Sequence, residues 1–134
     1  MSEDNKPPKV APKVKAAPRP GQIYWCDFPK DAQLPEFWKR RPVVILSPKS
    51  QLFGHATVVP LSSKAQPDNR NAHSFKSVLP GEQISWAICD HILTIAVSRL
   101  TPPMRQIPKV SHADFQAILT LVHKNIPSPR PPLN

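Results

Sequence analysis

Glycine is nearly missing from this chain, with three in 134 residues. The Gly-rich turns that cradle phosphates in nucleotide-binding folds are therefore excluded. Cysteine is as scarce: Cys26 and Cys89 stand far apart, with no Cys-x-x-Cys and no histidine pair at ligand spacing. That argues against a metal site or a disulfide framework and for a reducing, cytoplasmic setting. Long apolar runs are absent too. The N-terminus has no apolar core of a signal peptide, and "WAICDHILTIAV" is too short to span a bilayer and holds Asp90 and His91, so no membrane association is read. Acidic residues are the last shortage. Nine Asp and Glu face 18 Lys and Arg, for a net charge of +9 and a pI near 10.0. Such a balance calls for a polyanionic partner, because clustered cations gain by displacing counterions from phosphates.

What the chain has in plenty is proline, 19 residues, concentrated at its ends. Residues 1–20 alternate proline, alanine and lysine and read as a disordered basic tail with little to bury, and residues 127–134 read as a second Pro-rich tail. The folded body is expected over residues 21–126, where twelve Lys or Arg still outnumber seven Asp or Glu. Five β-rich runs follow one another there: "QIYWCDF", "PVVILS", "ATVVPLS", "FKSVL" and "ISWAICDHILTI", most separated by turn-forming residues. Pro60 cannot donate to a ladder and is expected at a strand edge or end. From residue 111 the period changes. Phe115, Ile118, Leu119, Val122 and Ile126 recur at helical spacing, with Ser111 as N-cap and Asp114 three residues on, a variant of the capping box. The expected fold is mainly β (α+β), a small twisted barrel with one C-terminal amphipathic helix.

"GQIYWCDF", "RPVVILSP", "VVPLSS" and "CDHILTIAVSRL" resemble, in order and approximate spacing, the toxins of the MazF/PemK type of type II toxin-antitoxin systems. The likeness covers roughly residues 20–126. It implies a CcdB/PemK-type barrel, a homodimer, endoribonuclease activity on single-stranded RNA without metal or other cofactor, and neutralisation by a cognate antitoxin peptide. Operator DNA would be met only through that antitoxin. By the same resemblance Arg41 matches the catalytic arginine before proline, and Ser62 the place of a catalytic threonine. Glu36 matches an acidic residue of the first long loop, and Asp90 an acidic position where some members place a catalytic aspartate. The chain departs from the pattern at Phe37 and Trp38, at Asp90-His91 where the family has Asp/Glu-Gln, and at Ile88 where some members carry an arginine.

The chemistry of the residues supports this independently. RNA carries its own nucleophile, so cleavage needs a proton acceptor for the 2′-hydroxyl, a donor to the leaving oxygen and positive charge on the phosphorane. Arg41 suits the last role, being permanently cationic, able to bind phosphate bidentately and fixed by Pro42 and the strand behind it. Lys39 and Arg40 then steer, while Trp38 and Phe37 offer rings on which unpaired bases stack. Ser63, Lys64 and Arg70 complete the expected RNA path, with Asn69 and Gln83 as polar loop residues. Asp90, expected inside an apolar strand, needs a partner, and His91 would point to the opposite face of a regular strand. His55 and His73 are expected in loops, His112 and His123 on the helix surface. Blander readings stand beside these: the aromatics as a lid on the core, the cations as a solvated loop, Ser62 and Ser63 as turn residues, Asp90 as a structural hydrogen-bond acceptor. Two other functions remain open, a degenerate member of the fold acting as a protein- or RNA-binding module, and a simple basic RNA-binding domain.

Overall fold

The computed structural model of the chain describes residues 6–130. Expectations for residues 1–5 and 131–134 lie outside them. Among the described residues seven strands form: β1 (Ile23–Cys26), β2 (Arg41–Ile45), β3 (His55–Ser62), β4 (Ala72–Lys76), β5 (Ile84–Ile88), β6 (Leu93–Ala96) and β7 (Leu100–Thr101). They pair antiparallel in the order β4-β5-β3-β2-β1-β7, with β6 also on β3. A 3-10 turn, Val97–Arg99, joins β6 to β7, and one helix, α1 (His112–Lys124), follows. Among the described residues no ladder joins β4 to β7, so the expected barrel is a bent sheet that does not close.

The centre of the sheet explains the continuous apolar runs. In β2, Val43 and Ile45 enter one core while Val44 enters the other, and β3 divides Ala56 and Val58 from Val59 and Leu61 in the same way. A strand covered on both faces has no solvent side to mark with polar residues. The first core also holds Tyr24, Cys26 and Leu100 and is closed by Ile95 and Val97. The second lies beneath α1, through Ile118 and Val122. Each such aliphatic side chain contributes about 1.5–3 kcal/mol on burial.

Pro60 is a correction. It lies within β3, fully buried and paired in register with Val43. It is tolerated because β3 pairs β6 as far as Val58 and β5 only from Leu61. The missing N–H falls at the fork where that edge changes partner, and no ladder bond is lost. A second correction concerns "ISWAICDHILTI", which is two strands rather than one. The His91 N–H donates to the Ile88 carbonyl at 3.2 Å, closing a turn between β5 and β6. The run "FKSVL" gives β4 only its last two residues, the strand beginning earlier at Ala72.

The Ser111 N-cap forms as read, its Oγ accepting the Asp114 N–H at 3.1 Å, while the reciprocal bond runs from the Ser111 hydroxyl to Asp114 Oδ2 at 2.8 Å rather than from its backbone N–H. The apolar stripe is shifted, however. Phe115, Ile118, Leu121 and Val122 meet the second core, while Leu119 is only half-buried and Ile126 is exposed. His112 and His123 are exposed on α1, whereas His55 opens β3 and His73 sits in β4, not in loops. His73 Nε2 lies 2.9 Å from Asp114 Oδ1, tying the helix to the sheet. In the Pro-rich stretch, residues 6–20 form no helix or strand, yet Val14 is buried in the first core and Pro18 is buried as well.

Candidate functional site

Arg41 opens β2, opposite Cys26 of β1, whose side chain is in the first core. Directly opposed residues share a face of the sheet, so Arg41 stands at the rim of that core. Its guanidinium carbon lies 4.9 Å from the centre of the Phe37 ring, a cation-π contact. Phe37 itself packs against the first core, so the arginine rests on an anchored platform. Arg41 Nε is buried with no hydrogen-bond partner, and among the described residues no carboxylate pairs with this side chain. A cationic donor held in this way keeps its charge available to an incoming anion.

Ser62 ends β3. The β2–β3 ladder ends with Val43 opposite Pro60, so Arg41 and Ser62 each lie two residues beyond its last pair. Ser62 is 7% exposed, and its Oγ accepts the Lys64 N–H at 3.1 Å. The hydroxyl proton is left to donate elsewhere. On its other edge Ser62 pairs with Trp86 of β5, which pairs with Ser74 of β4. Ser62, Trp86 and Ser74 thus form one row across three strands. Trp86 is half-buried and Ser74 exposed. Sequence reasoning missed Trp86, because its place beside Ser62 depends on a register that no local pattern gives.

Asp90 and His91 are corrections. Asp90 lies not in a strand but at the exposed position of the β5–β6 turn, its side chain 37% exposed, so its carboxylate is solvated. Because the turn breaks the alternation, Asp90 and His91 do not face apart: His91 Nδ1 lies 3.3 Å from Asp90 Oδ1. The imidazole meets the Phe37 ring edge-on, centroids 4.7 Å apart. One ring therefore carries Arg41 and His91 together. His91 and Phe37 also line a cavity of about 390 Å³ with Phe28, Asp31, Gln33 and Glu36.

The remaining candidates are more scattered. Glu36 is exposed, with Oε1 accepting the Gln33 N–H at 2.7 Å, so it shapes its own loop. Trp38 is 56% exposed with Lys39 Nζ 4.8 Å from its ring. Arg40 stacks over Trp25 at 5.4 Å and approaches Asp27 at 3.9 Å, which offsets part of its steering charge. Ser63 and Lys64 are exposed directly beyond Ser62. Arg70 is exposed on a turn pinned to the end of α1, where Asn125 Nδ2 donates to Asn71 Oδ1 at 3.0 Å, and no contact joins it to Arg41 or Ser62. Cys26 and Cys89 are buried, and desolvation pushes both thiols up to about 12, which removes them as nucleophiles. Among the described residues no three His, Cys, Asp or Glu side chains cluster to hold a metal, and no helix is long and apolar enough to cross a membrane.

Comparison with known proteins agrees with this architecture. The model of the PemK-like, MazF-like toxins of type II toxin-antitoxin systems matches residues 19–126. No curated protein matches in sequence. Among solved structures, an endoribonuclease in complex with its cognate antitoxin, from Mycobacterial species, superposes with a TM-score of 0.59 at 19% identity, over 84% of this chain and 100% of that one. MazF from Deinococcus radiodurans gives 0.61 at 20% identity over 81% and 94%. The Mycobacterium tuberculosis toxin MazF-mt6 gives 0.56 at 22% identity over 78% and 94%.

Proposed function

The chain belongs to the PemK-like, MazF-like toxin family of type II toxin-antitoxin systems, and on that premise we propose that it is an endoribonuclease that cleaves single-stranded RNA without metal. The 2′-hydroxyl attacks the adjacent phosphorus, leaving a cyclic phosphate and a 5′-hydroxyl end. Arg41 binds the non-bridging oxygens and offsets the charge that grows on the phosphorane, the largest contribution such sites make. Ser62 donates its free hydroxyl proton to the same phosphate. Asp90 stands at the edge of the site as its carboxylate. Trp38, Lys39 and Arg40 line the approach, with Glu36, Ser63, Lys64 and Arg70 as further RNA contacts; unpaired bases stack on Trp38 and on Trp86.

What supports this reading is that Arg41 and Ser62 both lie just beyond the pair Val43–Pro60 that ends the β2–β3 ladder. Arg41 supplies a buried, unpaired cationic N–H and Ser62 a hydroxyl with its proton free. The endoribonuclease among the structural relatives supports the reaction class. That relative is bound to its cognate antitoxin, and the net charge of +9 suits an acidic antitoxin segment here. We assign the working form as a homodimer in the cytoplasm.

The test is incubation of the full chain with a long single-stranded RNA in excess EDTA, followed by mapping of the new ends. Discrete cuts with 5′-hydroxyl ends are expected. Binding without new ends would make the protein a non-catalytic RNA-binding member of the fold, and activity that needs added magnesium would contradict the metal-free reaction.

A further inference from the structure

We propose that His91, held at Nδ1 by Asp90 and set against Phe37, is the general base that takes the 2′-hydroxyl proton. This rests on the ribonuclease reading above and adds to it the proton acceptor that Arg41 and Ser62 do not supply. Arg41 offers only donors, and Ser62 Oγ already accepts from Lys64. Asp90 Oδ1 is turned to His91 Nδ1. An imidazole is the side chain best matched to proton transfer near neutral pH.

The geometry selects this histidine. Asp90 Oδ1 lies 3.3 Å from His91 Nδ1, and a carboxylate there fixes the proton on Nδ1, leaving the Nε2 lone pair as acceptor. The ring is one-third exposed and borders a cavity open to the loop before β2. It stands 4.7 Å from the ring over which the Arg41 guanidinium lies at 4.9 Å. Phe37 is thus a ring that both side chains touch, which sets the imidazole in the neighbourhood of a phosphodiester bound by Arg41. The charged groups facing this neighbourhood are Asp90 on the same turn, Arg41 across Phe37, and Asp31 and Glu36 from the β1–β2 loop on the shared cavity. His73, the other histidine with a carboxylate partner, is committed to Asp114 of α1.

In the step, the 2′-O–H bond breaks and its proton passes to Nε2. The 2′-O–P bond forms, the P–O5′ bond breaks, and the 5′-oxygen takes a proton from solvent. His91 then returns its own proton to solvent, so charge and protons balance.

The experiment compares the full-length wild type with His91→Gln, His91→Gly and Asp90→Asn on a fluorogenic oligoribonucleotide, as kcat and KM against pH. The expected result is a wild-type kcat that falls towards acid pH. His91→Gln should lose about 100-fold in kcat with KM within about twofold, and lose that acid limb. Free imidazole should restore part of the His91→Gly rate, and Asp90→Asn should lower kcat by about tenfold with the limb displaced. Circular dichroism verifies that each variant is folded. A His91→Gln enzyme with wild-type kcat and an unchanged pH profile would overturn the inference while leaving the ribonuclease reading intact. No cleavage by the wild type removes both.

Discussion

Ser62 Oγ accepts the backbone N–H of Lys64 at 3.1 Å, and this turn, closed by the side chain itself, decides how the hydroxyl can act. With one lone pair occupied, the group is oriented and its proton is free. Ser62→Ala should therefore lower cleavage by about 100-fold, the usual cost of removing one donor to a developing oxyanion, while RNA affinity changes little. Ser62→Thr keeps the donor and adds a methyl that restricts rotation, so its rate should equal or exceed the wild type. Initial rates and filter-binding affinities of the two variants test this.

The C-terminal helix should respond to acid in a defined direction. His73 hydrogen-bonds the Asp114 carboxyl, and with Ser111 holds it below the ordinary aspartate range. A lowered folded-state pKa means that the ionised form stabilises the fold. That contribution is fully present above the unfolded value of about 3.9 and is lost as the pH falls through the lowered folded value. Asp114→Asn should thus lower Tm at pH 6, and the gap to wild type should shrink as the pH is taken towards 2. Ser111→Ala removes the cap itself and should cost about 1 kcal/mol. Thermal melts across pH 2–6 measure both.

Neither thiol should report on solvent. Burial pushes Cys26 and Cys89 up to about 12, so at pH 8 almost no thiolate exists. Native protein should resist iodoacetamide over hours, and both residues should alkylate promptly in guanidinium, as read by intact mass. Rapid labelling of either in the native state would contradict the packing described for both cores.

Where the sequence reading succeeded and where it failed follow from one physical distinction. Signals that are local survived: the Ser111 cap with Asp114 and the β-branched run of β2 each depend on neighbours within a turn or a strand. Signals that depend on pairing did not. Pro60 looked unfit for mid-strand because nothing in "VVPLS" shows that β3 exchanges β6 for β5 there. Asp90 looked buried because "ISWAICDHILTI" hides a turn whose only mark is the Asp-His pair. Trp86 joins Ser62 only through the β3–β5 register, and β7, at two residues, is too short to have any period. Val14 was lost to composition, a single apolar anchor within prolines and lysines.

Cleavage depends above all on the guanidinium of Arg41. Arg41→Ala and wild type, matched for far-ultraviolet circular dichroism and Tm, should be given the same single-stranded RNA in EDTA and the 5′-hydroxyl ends counted. The expected result is discrete ends from wild type and at least a thousandfold fewer from the variant. An Arg41→Ala protein that produces the same ends at the same rate would contradict it.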